Sequence, residues 1–284
     1  MALNTKDKLT LIQISDKEFD MIRSLVYERL GIHLTDKKRA LVVGRLQKIV
    51  REKDCRNFGE YYEYLLSDTT GQAISELADR ISTNHTFFYR ESSHFDFFLE
   101  WALPEVAARL RERNDMDLRI WSAGCSTGEE PYTLVMLMME YLGHEYPKWS
   151  AGVLATDVSE RALSIAKRGV YGPGNVEKMP EGWRQKYFKK LADGNYAVAP
   201  HVKKEVVFRR FNLMNEKFPF KKPFHIVFCR NVMIYFDAPT REGLVERFHQ
   251  ASEPGAYLFV GHAESLRNQG MGYKYVMPAV YRRA

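Results

Sequence analysis

The stretch that most constrains this chain is residues 119–130, Arg-Ile-Trp-Ser-Ala-Gly-Cys-Ser-Thr-Gly-Glu-Glu. Arg119 to Ser122 read as a strand, Gly124 and Gly128 flank a small-residue turn, and Pro131 suits the first turn of the apolar-periodic helix that follows. Strand, small-residue turn and helix together let a ligand approach bare backbone at a helix N-terminus. The pattern is neither a full G-x-G-x-x-G nor a G-x-x-x-x-G-K-[ST], because Ala123 stands where one glycine would be and Glu129 follows Gly128. A carboxylate at the turn would repel a phosphate, so the expected ligand has a cationic end. S-adenosylmethionine, with an ammonium and a sulfonium, fits that description.

From Asp117 onward strands and helices alternate, which marks an α/β sheet. Strands are expected at Leu118–Ser122, Gly152–Thr156, Val206–Phe211, His225–Cys229 and Ala256–Gly261, with a terminal pair at Tyr273–Met277 and Ala279–Arg282. Helices are expected at 129–143, 159–168, 181–188 and 239–251. Between Tyr187 and Val207 the alternation breaks: Asp193-Gly194 reads as the turn of a small antiparallel hairpin. In an open parallel sheet, ligands sit beyond the carboxyl ends of the strands. Gly124, Asp157, Asn212, Asn231 and His262 lie at such ends and would ring one crevice. Asp157 could accept hydrogen bonds from both ribose hydroxyls of a nucleoside, or it could cap the helix that begins near Ser159.

Residues 15–83 read as all helix, with Ser15 as a cap, Phe19, Ile22, Val26 and Leu30 at helical spacing, and Gly31 as a stop. A second helix is expected from Thr35 or Asp36 to about Lys53, and two more at Phe58–Leu66 and Gln72–Ile81. On the second, Val42, Val43, Leu46, Ile49 and Val50 gather on one side, and Lys37, Lys38, Arg45, Lys48 and Arg51 on the other. Asp36 to Arg56 holds eight basic residues against three acidic ones. That is either a solvated face or a docking face for an acidic helix or for phosphates. Residues 82–90 join the two regions, and a helix bent near Pro104 runs from Glu91 to about Arg113.

Composition excludes several classes. The chain has 284 residues, 45% apolar and 27% charged, which suits a two-domain globular protein. Its net charge is +6, which fits nucleic acid, an anionic surface or an acidic protein partner. Met1–Thr10 has no apolar run, and Leu134–Met139 is too short to cross a bilayer. Cys55, Cys125 and Cys229 are scattered with no C-x-x-C, so neither zinc nor a disulfide framework is suggested and a reduced, cytoplasmic setting is expected.

Three segments resemble the CheR family of chemotaxis receptor methyltransferases: Thr83–Arg90, Ser126–Tyr132 and Cys229–Phe236. Ala166–Tyr171 and Gly261–Ser265 are similar to lesser motifs of that family, and the resemblance spans about residues 15–284. It implies a Rossmann-like, S-adenosylmethionine-dependent methyltransferase domain with a small antiparallel β-subdomain insert, preceded by an all-α N-terminal domain. The boundaries expected are 1–83 for the helical receptor-docking domain, 84–116 for a linker and connecting helix, and 117–284 for the methyltransferase domain, with the insert at about 187–207. The implied reaction transfers a methyl group to glutamate side chains on cytoplasmic helices of chemoreceptors. By the same resemblance Asn84, Thr86, Arg90, Glu130, Asp157, Asn212, Leu213, Asn231 and Val232 contact the cofactor, alongside Gly124, and Arg90 and Tyr235 act near the transfer. Glu130 would meet the cofactor's ammonium. Lys38, Arg45, Lys48 and Arg51 become the receptor-docking face. Ala263 stands where many relatives carry Ser, a change expected to matter little.

A glutamate acceptor is ionised near neutral pH and needs no general base, so positioning is the work left to the protein. Some relatives grip a receptor's C-terminal peptide with the β-subdomain; the turn Ala192–Asn195 is short for that, and no tether is expected. A monomer is expected, peripheral to the membrane only through receptors, with no metal and no nucleic acid. Two other readings are a non-catalytic receptor adaptor that retains the cofactor fold and a nucleic-acid methyltransferase. Against the latter, Asn231-Val232-Met233-Ile234 lacks the proline-rich turn usual after the fourth strand of base-nitrogen methyltransferases.

Overall fold

Ten strands build two sheets in the computed structural model, which describes residues 11–82, 85–266 and 272–284. They are β1 (Asp117–Ala123), β2 (Ser150–Asp157), β3 (Val170–Tyr171), β4 (Phe188–Lys190), β5 (Tyr196–Val198), β6 (Val206–Arg210), β7 (Phe224–Cys229), β8 (Ser252–Val260), β9 (Tyr273–Met277) and β10 (Val280–Arg283). The larger sheet has the order β6-β2-β1-β7-β8-β10-β9. Its first five strands are mutually parallel, and β10 runs antiparallel to both β8 and β9. The smaller sheet is antiparallel, in the order β3-β5-β4.

Central strands of a parallel sheet are covered on both faces and read as near-continuous apolar runs. All six residues of β7 are buried, and Ile120 and Trp121 of β1 are too. The Trp121 indole donates to Thr156 Oγ1 at 2.9 Å, and its ring packs on Phe211, Phe218, Phe220, Phe224 and Phe248. Phe95 and Phe98 pack on Phe228, which stacks on Phe259 at 4.2 Å between ring centroids.

The strand order reverses at β1, whose neighbours are β2 and β7, so the topological switch point lies between β1 and β7. At the opposite end of the sheet, a cavity of about 590 Å³ is lined by Lys217, Phe218, Phe220, Lys222, Arg247 and Arg283 among others.

The chain divides into two compact units, residues 1–83 and 84–284. Among the described residues the first holds four α-helices: Asp16–Leu30, Arg39–Glu52, Phe58–Ser67 and Gln72–Ile81. Ser15 and Glu18 form a complete capping box, and Gly31 closes the first helix at φ 70°. The second helix begins with a 3₁₀ turn, Asp36–Lys38. Val42, Leu46, Ile49 and Val50 are buried, whereas Val43 is only half-buried.

Residues 85–113 fold into the second unit. Phe88, Phe95, Phe98, Val106 and Leu110 lie in the core that also holds Ile120 and Phe228. The helix expected from Glu91 is broken into Ser92–Phe97, a π turn at Phe98–Ala102, and Leu103–Glu112. Pro104 supplies the reason: it has no N–H to give and its ring clashes with the carbonyl four residues earlier, so the preceding turn widens. The small sheet also differs from the expected hairpin: it recruits Val170–Tyr171, and Val206 belongs to the large sheet.

Candidate functional site

The loop after β1 is tied down by its own backbone. Gly124 and Cys125 both donate to the Thr156 carbonyl, at 2.8 and 2.9 Å, and Gly128 N–H reaches the Cys125 carbonyl at 3.0 Å. Gly124 sits at φ +83°, and a Cβ there would meet Val232 Cγ2 at 2.4 Å. Gly128 sits at φ +95°, where a Cβ would lie 2.7 Å from that of Ala166. Both positions therefore need glycine for conformation and for space. Tyr171 donates its hydroxyl to the Thr127 carbonyl at 2.7 Å, so the small sheet braces the loop.

Asp157 closes the other side of the turn. One carboxylate oxygen accepts from Ser126 N–H at 2.8 Å, and the other from Ser159 N–H at 2.9 Å. Ser159, not Asp157, caps the helix Glu160–Arg168, by accepting from Ala162 N–H at 2.8 Å. Of the two roles open for Asp157 in the sequence, the helix cap is thus already filled. An ionised carboxylate has roughly four acceptor positions, so two backbone bonds are compatible with a ribose.

At the switch point, Arg230 is buried between two acids. Its Nη1 meets Glu130 Oε2 at 3.0 Å and its Nη2 meets Glu91 Oε2 at 3.1 Å, while its side chain is only 3% exposed. Nη2 also donates to the Arg90 carbonyl, and the guanidinium lies 4.9 Å from the centre of the Phe95 ring. Ser122 Oγ donates to Glu130 Oε1 at 2.7 Å. Two carboxylates around one guanidinium leave the cluster formally one charge negative. Burial would raise the Glu91 pKa, but the Arg230 charge and bonds from Asn231 and Arg230 outweigh it and hold this carboxyl below its usual range.

Glu129 does not do what the sequence suggested. It is 1% exposed and turned inward, accepting from Thr127 Oγ1 at 2.7 Å and Asn175 Nδ2 at 2.9 Å. Burial raises its pKa. Of the two acids Glu130 is the more exposed, and Glu129 does not face the turn's surface as expected: burial disfavours its charged form, which weakens its repulsion of an anion.

A fifth acid, Glu264, holds the loop after β7. It is buried and accepts from Asn231 N–H at 2.8 Å, Ile234 N–H at 3.0 Å and the Gly261 N–H. Burial raises its pKa against the pull of these backbone bonds. Asn231 stands at φ 60°, and its Nδ2 donates to Glu91 Oε1 at 3.1 Å. A Cβ on Gly261 would meet Asn231 Nδ2 at 2.6 Å. Left-handed backbone at a non-glycine residue costs on the order of 1–2 kcal/mol, and Tyr89, Glu91, Ser126 and Asn231 all adopt it here.

Several sequence-nominated residues share this end of the sheet. Val232 packs against Gly124, Tyr235 ends the 3₁₀ turn Met233–Tyr235, and Asn212 Oδ1 accepts from Met214 N–H at 3.0 Å after β6. Leu213 is buried, and its carbonyl accepts from Arg247 at 3.1 Å. Thr86 is half-buried. Arg90, between the left-handed Tyr89 and Glu91, folds back to donate to the His85 carbonyl at 2.6 Å. Asn84 lies outside the described residues.

The basic face of the first unit divides in two. Lys48 and Arg51 are exposed, with Lys48 3.6 Å from Glu52 and Arg51 donating to Gln47 at 3.3 Å. Lys38 and Arg45 are half-buried. Arg45 donates to the Ile81 carbonyl and so secures the end of the Gln72–Ile81 helix.

Arg230, Glu91 and Glu264 have no role that the sequence alone announces. Arg230 and Glu264 fall inside segments already singled out, and a charged residue directly after an all-apolar strand is a signal that its partners must be found nearby.

Models of two family domains match the chain: the CheR methyltransferase SAM binding domain over residues 84–280, and the CheR methyltransferase all-alpha domain over residues 17–82. A chemotaxis protein methyltransferase of Borreliella burgdorferi is 41% identical over 272 residues, 96% of either chain. Chemotaxis protein methyltransferase 1 of Pseudomonas aeruginosa is 34% identical over 277 residues, 95% of this chain and 98% of the relative. The chemotaxis protein methyltransferase of Escherichia coli is 34% identical over 258 residues, 90% and 86% of the two chains.

Proposed function

Because the chain belongs to the CheR methyltransferase family and is an S-adenosylmethionine-dependent methyltransferase of chemotaxis, we propose that it esterifies glutamate side chains on the cytoplasmic helices of chemoreceptors. When bound, S-adenosylmethionine supplies an electrophilic methyl group on a sulfonium. The residues at the switch point suit it. Gly124 leaves bare backbone at the turn, Asp157 stands at the end of β2 for the ribose, and the net negative cluster of Glu91, Arg230 and Glu130 favours a ligand with cationic groups. Thr86, Asn212, Leu213, Asn231 and Val232 complete the cofactor crevice in this reading, with Asn84.

The observation that carries the choice of acceptor is the state of the acids. Glu91, Glu129, Glu130, Asp157 and Glu264 each accept two or more hydrogen bonds from neighbouring groups. Arg230 and Asn231 hold Glu91 below its usual range, which makes it a poor general base, while Glu129 and Glu264, raised by burial, are 1% and 2% exposed and turned away from any substrate. The acceptor must therefore arrive already nucleophilic, and a glutamate side chain does so near neutral pH. Arg90 orients that carboxylate, exchanging its bond to the His85 carbonyl for one to the substrate. A tight bidentate clamp would stabilise the attacking anion and slow it, so a single contact serves better. Tyr235 places its hydroxyl near the transfer. What remains is proximity, with reacting atoms held about 3–3.5 Å apart.

Lys48 and Arg51 face solvent and suit the acidic methylation helices of a receptor, steering encounter and register more than they add affinity. Arg45 is already engaged at a helix end and contributes to that helix rather than to docking. The five-residue reversal Leu191–Asn195, closed by Leu191 N–H on the Asn195 carbonyl at 2.8 Å, supports capture of receptor helices without a C-terminal tether. No helix among the described residues is long and apolar enough to cross a membrane. In this reading the enzyme is a cytoplasmic monomer that meets the membrane only through receptors.

The test is transfer of labelled methyl from S-adenosylmethionine to a receptor cytoplasmic fragment, followed by mild alkali. Label released as methanol supports a carboxyl ester. Alkali-stable label overturns the acceptor, and bound cofactor without any transfer favours an adaptor.

A further inference from the structure

One cluster beside the crevice shares Glu91 with the site described above and adds two histidines to which methyl transfer gives no role. Glu91, His94 and His262 present one carboxylate oxygen and two imidazole nitrogens, all within 4.8 Å of one another. Glu91 Oε2 is 3.5 Å from His94 Nδ1, and the two imidazole rings meet nearly edge-on at 4.4 Å between centroids. His94 is fully buried, yet apart from a weak pull by the Pro278 carbonyl neither of its ring nitrogens has a hydrogen-bond partner. A buried polar group left unpaired costs about 1–3 kcal/mol, so an aromatic or aliphatic residue would pack there at lower cost. His262 is exposed, with Nε2 3.3 Å from Ser93 Oγ.

We propose that Glu91, His94 and His262 bind a divalent transition metal of the zinc class, and that the bound ion draws Glu91 away from Arg230. Two imidazole nitrogens and one carboxylate oxygen form a borderline donor set, which suits zinc, cobalt or nickel; magnesium and calcium take all-oxygen sets. Zinc bonds of about 2.0–2.1 Å at tetrahedral angles separate ligand atoms by about 3.3 Å. The cluster must therefore tighten by at most roughly 1.5 Å, which the exposed His262 can supply by turning about its side-chain bonds while His94 stays fixed by packing. Fewer than four protein ligands leave open positions for water.

The consequence runs through Glu91. Its Oε2 is also the oxygen that meets Arg230, whose other arm holds Glu130, and its Oε1 holds Asn231. An oxygen shared between a dication and a guanidinium holds the guanidinium less tightly, since the two cations repel and draw on the same negative charge. Metal occupancy thus loosens Arg230, Glu130 and Asn231 together, and the ion antagonises the cofactor. The antagonism rests on the cofactor reading above; the metal site itself does not.

Cobalt(II) titrated into the full-length protein is expected to give a visible ligand-field band that saturates at one equivalent. His262→Ala is expected to weaken the affinity at least tenfold, and Cys55→Ser, which removes the half-buried thiol, is expected to leave the band in place. No saturable band, or a band that survives His262→Ala, overturns the site. Calorimetry with S-adenosylhomocysteine is then expected to show about tenfold weaker binding with one equivalent of zinc than without, and no response to zinc in His262→Ala. Zinc bound with product affinity unchanged overturns the antagonism, whereas failure of product to bind the metal-free protein counts against the cofactor reading instead.

Discussion

Gly124→Ala tests how the loop after β1 is shaped. Two costs add. At φ +83° an alanine is strained by about 1–2 kcal/mol. Its Cβ also falls 2.4 Å from Val232 Cγ2, where contact between carbons belongs at about 3.5–4 Å, and overpacking of this kind costs roughly 1–3 kcal/mol. Val232 is β-branched and cannot swing away freely. The single variant should therefore lose about 2–5 kcal/mol of stability. The next Val232 atom, Cβ, lies 3.6 Å away, so Val232→Ala removes the clash and leaves the backbone strain. In the double variant the two changes should cost about 1–3 kcal/mol less than their sum. Urea unfolding of the four proteins measures this, followed by tryptophan fluorescence. Trp101, Trp121, Trp149 and Trp183 all lie in residues 84–284, so the signal reports that unit alone. Additivity within about 0.5 kcal/mol would show that the two side chains do not meet and that the loop is shaped otherwise.

Three further outcomes are expected. Arg230→Met leaves the half-buried Glu91 and Glu130 without their cation, still holding the bonds from Asn231 and Ser122, and should destabilise this unit by up to about 3 kcal/mol in the same assay; a loss under 1 kcal/mol would mean the acids relax into solvent. Burial, with the charges of Arg230 and His262, pushes His94 down to about 4, and burial lowers His225 as well. Between roughly pH 6.5 and pH 4 the unfolded chain then binds more protons than the folded one, so stability is full above that window. It should fall with pH by up to about 1.4 kcal/mol per unit for each histidine, and equal urea midpoints at pH 7 and pH 5 would contradict this. Lys48→Glu with Arg51→Glu should slow methylation of receptor fragments several-fold, more so at low salt, with product binding intact; equal loss of both activities would remove the docking role.

The sequence carried the strand positions well because the parallel strands are short apolar runs bounded by turns, as in Phe224–Cys229. It also placed Gly124 and Asp157 at the ends of adjacent strands, which the pairing of Ala123 with Thr156 bears out. Pairings between distant segments were not legible. Nothing near Val170–Tyr171 announced that it would join Tyr196–Val198 across a hydrogen-bonded ladder. The same limit hid the charge pairs: Arg230 and Glu91 stand 139 residues apart, and only the fold brings them to 3.1 Å. Local charge also misled. Glu129 looked like an acid exposed at the turn, and the structure buries it while leaving Glu130 half-buried against Arg230, because consecutive helical side chains point about 100° apart. The bond that Arg45, nominated for docking by its helical position, makes to the Ile81 carbonyl of another helix was not legible either.

The most direct test of the account is a crystal structure of the full-length protein with S-adenosylhomocysteine. The adenosyl group is expected beyond the ends of β1 and β7, with ribose hydroxyls hydrogen-bonded to Asp157 and backbone contact at Gly124. Product seated in the cavity at the opposite end of the sheet, among Lys217, Phe218 and Arg247, would contradict it.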